Sequence, residues 1–183
     1  MRREPNYIRN EEGAAAVEFA LVGTAFILTL FFIMATALVL YINQMVDNAT
    51  VRASRKILTG DLQSQSTAAT LENFKQSVCA YLPATFSCND IVVNLYVVPK
   101  TSQPSGYYSF VSPDLNGLIV SNLATGTGVL NLGSRGDYQY LQVVYPVTFL
   151  PAPIASWLSG GATFKGKPAY LAISAAAFRN EQY

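Results

Sequence analysis

A short group of acidic and small residues near the amino terminus has the spacing best suited to chemistry. Glu11 and Glu12 are followed by Gly13, and Glu18 is the one charged residue in an apolar run over residues 14–42. Glycine makes the least steric demand on a protease, so the Gly13–Ala14 bond is a candidate cleavage site. A carboxylate is costly inside hydrocarbon, so Glu18 is a candidate functional residue.

Residues for catalysis are sparse in the rest of the chain. The chain has no histidine, which excludes a Ser-His-Asp triad, a Cys-His pair and histidine metal ligands. The glycines between Gly126 and Gly133 lack the Gly-Lys-Ser/Thr of a phosphate-binding loop. Asp90, Asp114 and Asp137 are scattered and suit solvated turns better than a carboxylate pair. We therefore expect no enzyme activity, no cofactor and no metal site.

The apolar run itself predicts a membrane helix, because a spanning helix needs about 20 apolar residues. An ordinary signal anchor, with Glu18 at the headgroup level, explains the run equally well. A cleavable secretory signal ending at the small residues 35–37 fits less well, because secretory apolar regions are usually about 7–15 residues long. Three arginines precede the run and three basic residues follow it, so charge alone does not fix the orientation.

Residues 11–21, with the sequence EEGAAAVEFAL, resemble the start of TadE-like proteins, the minor pilins or pseudopilins of the Tad (Flp, tight adherence) pilus system. The resemblance continues weakly in NATVRASR at residues 48–55 and in the tail at residues 178–183. Major Flp pilins are similar but usually carry Glu-Tyr and are much shorter. Here the pair is Glu18-Phe19 and a large domain follows, which favours a minor component.

The resemblance implies a leader over residues 1–13, removed by a prepilin peptidase between Gly13 and Ala14. It implies that Glu18 and Phe19 lie at the subunit docking site, where the carboxylate of Glu18 pairs with a neighbour's terminal amine. The implied partners are other Tad pilins, the peptidase, the inner-membrane assembly platform and membrane lipid. The implied location is the bacterial inner membrane, crossed once, with a cytoplasmic amino terminus and a periplasmic or extracellular domain.

Cys79 and Cys88 are the chain's two cysteines and lie close in sequence. In an exported domain such a pair predicts a disulfide. Two unpaired buried thiols in a cytosolic domain are the alternative. Zinc is disfavoured because two thiolates lack further ligands.

The remaining pattern predicts an α+β domain with a long transmembrane helix, a small sheet and a second short helix. The resemblance implies that this domain is pilin-like, with the long helix packed on an antiparallel sheet. The membrane helix covers residues 14–42, its extension 43–60 and the extracytoplasmic domain 61–183. Apolar residues at three- and four-residue spacing continue the first helix to about Thr59, with Gly60 as its cap. A polar linker at 61–66 precedes the second helix, whose apolar face runs from Leu71 to Leu82.

Alternating residues predict three strands, at 91–98, 138–149 and 168–178, and Pro146 indicates an edge strand or bulge. In the third strand we expect Leu171 and Ile173 to face the core. Residues 100–136 form a long excursion, with a short strand at 118–120. Its rings at Tyr107, Tyr108 and Phe110 either cover the core or form a contact surface. A second loop holds two prolines, Trp157 and two glycines; it is either a partner surface or a hairpin connection.

Three functions remain open at this point. The first is a minor pilin that supports Tad pilus assembly; the second is an anchored surface-binding or adhesion module outside any filament; the third is an anchored carboxylate-dependent hydrolase. A net charge of +1 gives no electrostatic reason to expect nucleic acid. Cleavage after Gly13 separates the first function from the other two.

Overall fold

The computed structural model describes residues 11–60, 70–100, 105–115, 117–120, 123 and 128–181. The predicted linker at 61–66 and parts of the excursion lie outside these residues. The helices are α1 (Glu11–Leu58), α2 (Leu71–Cys79) and α3 (Ala152–Leu158). The strands are β1 (Val92–Val98), β2 (Gly128–Leu130), β3 (Tyr138–Val147), β4 (Thr163–Phe164), β5 (Lys167–Pro168) and β6 (Tyr170–Arg179). Two short 3-10 helices, Cys88–Asp90 and Ser105–Phe110, lie before and after β1.

Two compact units make up the chain, Met1–Leu40 and Tyr41–Tyr183. Within the first unit, α1 exposes large apolar side chains in nearly every turn, including Phe19 at 80% and Phe31 at 63%. These side chains therefore have no core of their own in the first unit.

The carboxyl-terminal part of α1 belongs to the second unit and has one buried face. Its spacing of three and four residues matches the helical period of 3.6. The helix ends at Leu58, and Gly60 adopts a left-handed backbone with φ of 77°, which glycine reaches without strain. The buried positions, all predicted except Ile42 and Thr50, are Ile42, Val46, Ala49, Thr50, Ala53 and Ile57.

Four strands form the main sheet in the order β2-β1-β3-β6. The β1–β3 and β3–β6 pairs are antiparallel, whereas β1 and β2 are parallel. The sequence predicted β1, β3 and β6 but not β2, because the glycines around Gly128 indicated a flexible turn. At Gly128, φ is 154° and an added Cβ would lie 2.4 Å from the carbonyl oxygen of Val93. Glycine at this position thus permits the close approach of β2 to β1.

The α+β fold is confirmed, with α1 and α2 on one face of the sheet. Asn43 of α1 donates a hydrogen bond to the Tyr170 hydroxyl (2.8 Å), and the Ser174 hydroxyl donates to the Asp47 carboxylate (2.7 Å). Both contacts reach β6, and their order along the chain shows that α1 runs in the same direction as β6. The register places Val143 opposite Ser174, so the predicted inward residues of β1 and β3 share this face.

The inward face of β6 is the opposite of the one predicted. Ala172 is 0% and Ser174 5% exposed, whereas Leu171 and Ile173 point to the other face and are half-buried. Ala172 and Ser174 face the helix, and the Ser174 hydroxyl donates to the Asp47 carboxylate there. Contact with the helix therefore outweighs the larger hydrophobicity of leucine and isoleucine in setting the register.

Pro146 was predicted to mark an edge strand or a bulge; it lies in a central strand whose register with β6 has no bulge, but β3 is unpaired on its β1 side at this residue. Pairing of β1 with β3 stops at Val144, so Pro146 lies beyond the end of β1 and its pairing continues on the β6 side, opposite Leu171. A proline without an N–H is tolerated there, since one neighbour is already absent.

The second face of the sheet is covered by the excursion. The Phe110 ring stacks on Tyr140 at 4.2 Å and lies 5.2 Å from Tyr96. The Gln142 amide, on a residue 1% exposed, donates to the carbonyl of Ile119 (3.0 Å). The predicted strand at 118–120 is reduced to an isolated bridge between Val111 and Leu118.

Candidate processing and docking site

Gly13 lies in the first turn of α1, where the backbone N–H groups have no partner inside the helix. An added Cβ at Gly13 would meet no described atom within 4 Å, and the same holds at Gly23. Packing in the described structure therefore gives no reason for glycine at position 13. A requirement imposed by another protein, such as a protease, would supply one.

Glu18 is exposed on α1 together with Ala14 and Phe19. Ala14 and Glu18 are four residues apart and so lie on the same helical face. Within the part of the chain that the structure describes, no hydrogen bond or ion pair involves the Glu18 carboxylate. The geometry leaves this acid available to a group from outside the chain, or to a terminal amine created at Ala14.

Polar groups around Glu18 in α1 are internally satisfied. The hydroxyls of Thr24, Thr29 and Thr36 donate to carbonyls one turn earlier, at 2.7, 2.8 and 2.9 Å. In a bilayer, polar groups must find partners within the protein. Residues Gly13–Leu58 form the one described helix that is long and apolar enough to cross a membrane. Over residues 14–40 of this helix, Glu18 is therefore the exception among the polar side chains.

Cys79 and Cys88 are joined by a disulfide, with a Cα–Cα distance of 5.7 Å. The bond links the last residue of α2 to the turn before β1. Closing a loop of this size stabilises the fold by about 2–3 kcal/mol in the chain-entropy model. Phe86, inside this loop, packs on Tyr145 of β3 with ring centroids 4.6 Å apart, so the bridge also fixes a core contact.

The scattered aspartates have local structural partners. Asp90 forms an ion pair with Lys165 (2.6 Å), and Asp137 accepts from the Ser134 amide (2.7 Å) and lies 3.5 Å from Lys100. Asp114 accepts from the Ser112 hydroxyl. Among the described residues, no three Cys, Asp or Glu side chains gather as metal ligands would.

Sequence reasoning missed the polar pairs that hold α1 to β6. Asn43 and Asp47 are one helical turn apart, and their partners Tyr170 and Ser174 have the same spacing of four along β6. The signal was present in α1 as two polar residues on one face. Identifying their partners required the register of β6.

Residues 13–55 match the family model described as TadE-like protein. This segment of the chain is similar to TadE-like proteins. The match begins at the candidate cleavage glycine, includes Glu18 and Phe19, and ends in the arginine-containing turn before Gly60. It covers about a quarter of the chain and not the tail at 178–183. No curated protein and no solved structure gave a significant match.

Proposed function

We propose that this protein is a membrane-anchored minor pilin, or pseudopilin, that supports assembly of a Tad/Flp-type pilus. The observation that carries the proposal is the TadE-like match over residues 13–55, which contains both Gly13-Ala14 and the lone acid Glu18. In this proposal the protein has no enzymatic role, and its second unit serves as an interaction domain.

In this proposal a prepilin peptidase cleaves between Gly13 and Ala14. The new ammonium group at Ala14 and the carboxylate of Glu18 on a neighbouring subunit then pair in a low-dielectric setting. Opposite charges attract strongly there, and each offsets the cost of burying the other. Phe19 and the other exposed apolar side chains of the first unit supply the surrounding helix contacts.

The proposed location is the bacterial inner membrane, with the second unit on the periplasmic side or outside the cell. The Cys79–Cys88 disulfide supports this side, because such bonds persist in oxidising compartments. The proposed partners are other Tad pilins, the prepilin peptidase and the inner-membrane assembly platform.

Glu18→Gln tests the docking role because it removes the charge and keeps the shape. Piliation, and co-purification with other pilins, should fall, while processing and membrane insertion stay intact. Free energy of unfolding of the second unit should change by less than about 0.5 kcal/mol, since Glu18 lies outside it. The matched control is Glu72→Gln on α2, an exposed acid of the second unit.

Normal pilus numbers with a correctly processed Glu18→Gln variant would contradict the docking role. An internal pair between Ala14 and Glu18 would then be the better account of the acid.

A surface-binding module is the second candidate. The observation that favours it is the exposed apolar surface of the excursion, where Tyr108 is 70%, Leu115 73% and Ile119 44% exposed. If the chain is not processed and Tyr108→Ser leaves surface binding intact, both roles are contradicted. If the chain is not processed and Tyr108→Ser abolishes surface binding, the surface-binding role is favoured.

A further inference from the structure

The segment over residues 148–169 lies at one end of the main sheet. It connects the end of β3 at Val147 to the start of β6 at Tyr170, and these two residues pair directly. Asn43, near the start of the α1 portion in the second unit, bonds to Tyr170 at the same place (2.8 Å). The segment and the Tyr41 end of α1 therefore occupy the same end of the second unit.

Contacts to the neighbouring elements hold this segment at the end of the sheet. Lys165 pairs with Asp90 (2.6 Å), which precedes β1 at that end. Leu150 is 7% and Phe164 3% exposed, so the segment is anchored by apolar burial on both sides of α3. Its position is thus fixed by the core and not by α3 alone.

Large aromatic side chains of this end remain uncovered. Trp157 on α3 is 73% exposed, Phe149 is 58% and Tyr41 is 48%. In α3 only Ala155 is fully buried, so the helix turns its tryptophan outward. The second unit gains little core stability from Trp157 or Phe149, and their exposure calls for an outside partner.

Chain connectivity identifies that partner. Tyr41 follows directly on residues 14–40, the part of α1 that the proposed function inserts in the bilayer. The end of the second unit that carries Tyr41 must then be the end nearest the membrane surface. Tryptophan and tyrosine are enriched at membrane–water interfaces, because their rings have an apolar body and a polar N–H or O–H.

We propose that Trp157 and Phe149 form a membrane-contacting surface that rests in the lipid headgroup layer beside the anchor. Exposed Lys167 lies on β5, which contacts α3, and its charge complements anionic headgroups. The surface adds a second attachment point to the single helix and restricts rotation of the second unit. This inference rests on the proposed anchoring of α1 and not on the pilus role.

Trp157 is the chain's one tryptophan, so tryptophan emission, excited selectively over tyrosine, reports on this surface alone. The full chain is placed at one copy per lipid nanodisc containing phosphatidylethanolamine and phosphatidylglycerol. Quenching of the Trp157 emission by brominated phosphatidylcholine then measures contact with lipid, and quenching by iodide measures contact with water. We expect strong quenching by the brominated lipid, weak quenching by iodide, and a blue shift of the emission relative to the exposed tryptophan of the control. Phe149→Ser should weaken the lipid quenching.

The matched control is Tyr108→Trp in a Trp157→Phe background. Tyr108 is as exposed as Trp157. It lies near Phe110, whose ring stacks on Tyr140 toward the other end of β3. This control should be quenched by iodide and not by brominated lipid.

Equal iodide quenching of Trp157 and of the control would overturn the proposal. Shielding of Trp157 from both quenchers would also overturn it, in favour of a contact within the protein. Incorporation into the nanodisc tests anchoring separately, and neither readout depends on pili. Failure of the surface is therefore distinguishable from failure of the proposed function.

Discussion

At the scale of single residues, Tyr145 shows how burial sets a pH response. Its side chain is 5% exposed and packs on Phe86. Burial raises the pKa of Tyr145 above its ordinary 10.0; a backbone hydrogen bond from Ser87 opposes the rise, and the charge of Asp90 adds to it. Below the ordinary value the phenol is neutral in both the folded and unfolded states, so the raised pKa gives no pH dependence there.

Above about pH 10 the unfolded chain loses the Tyr145 proton more readily than the folded one, so stability falls as pH rises through the folded pKa. Tyr145→Phe should lower the free energy of unfolding by about 1 kcal/mol at neutral pH, from the lost hydrogen bond. It should also make the alkaline decline less steep. Urea unfolding across the alkaline range measures both effects.

Tyr108→Phe is the matched control, because that ring is 70% exposed. It should reproduce the wild-type pH curve. A Tyr145→Phe curve parallel to wild type throughout the alkaline range would show that this phenol does not set the response.

At the scale of elements, small side chains lie fully buried on both α1 and β6. Ala49 and Ala53 are both 0% exposed, as is Ala172 on β6. Interiors are close-packed, so added methylene groups force side chains or backbone to shift. The same requirement explains why Ala172 and Ser174, and not Leu171 and Ile173, face the helix.

Ala53→Leu should therefore lower the free energy of unfolding by about 1–3 kcal/mol through overpacking. Val51→Leu, on the same helix at a side chain 41% exposed, should change it by less than about 0.5 kcal/mol. Chemical denaturation of the two variants gives the comparison. If both variants were equally stable, the buried face assigned to α1 would be wrong.

The elements differ in how far the sequence predicted them. The long helix, α2 and the strands β1, β3 and β6 follow from local periodicity, and the disulfide follows from cysteine spacing. Non-local contacts decided the rest: β2 forms because Gly128 fits against Val93, Pro146 is accepted where β1 has ended, and β6 is oriented by α1. For the candidate site, Gly13 and Glu18 were recognisable from residue type and spacing, whereas Asn43 and Asp47 required their partners.

At the scale of the whole molecule, the two units differ in whether their apolar side chains are exposed or buried. The first exposes its apolar side chains, and the second buries a core between α1, α2, the sheet and the excursion. A chain of this kind suits an anchored subunit whose first unit meets lipid and neighbouring helices. The TadE-like match spans the first unit from Gly13 and the start of the second.

The central claim is that the protein enters the pilin pathway through cleavage after Gly13. Gly13→Val should block cleavage by crowding the protease site, whereas Gly23→Val should not. A Cβ added at either glycine meets nothing described within 4 Å, so the two positions are matched in the space around them. Both variants should insert in the membrane as the wild type does.

Intact-mass analysis of the protein isolated from its native host tests this claim most directly. The account predicts that the wild type and Gly23→Val begin at Ala14, having lost residues 1–13, while Gly13→Val retains them. A wild-type chain that still contains Gly13, isolated from cells with an active prepilin peptidase, would contradict the account.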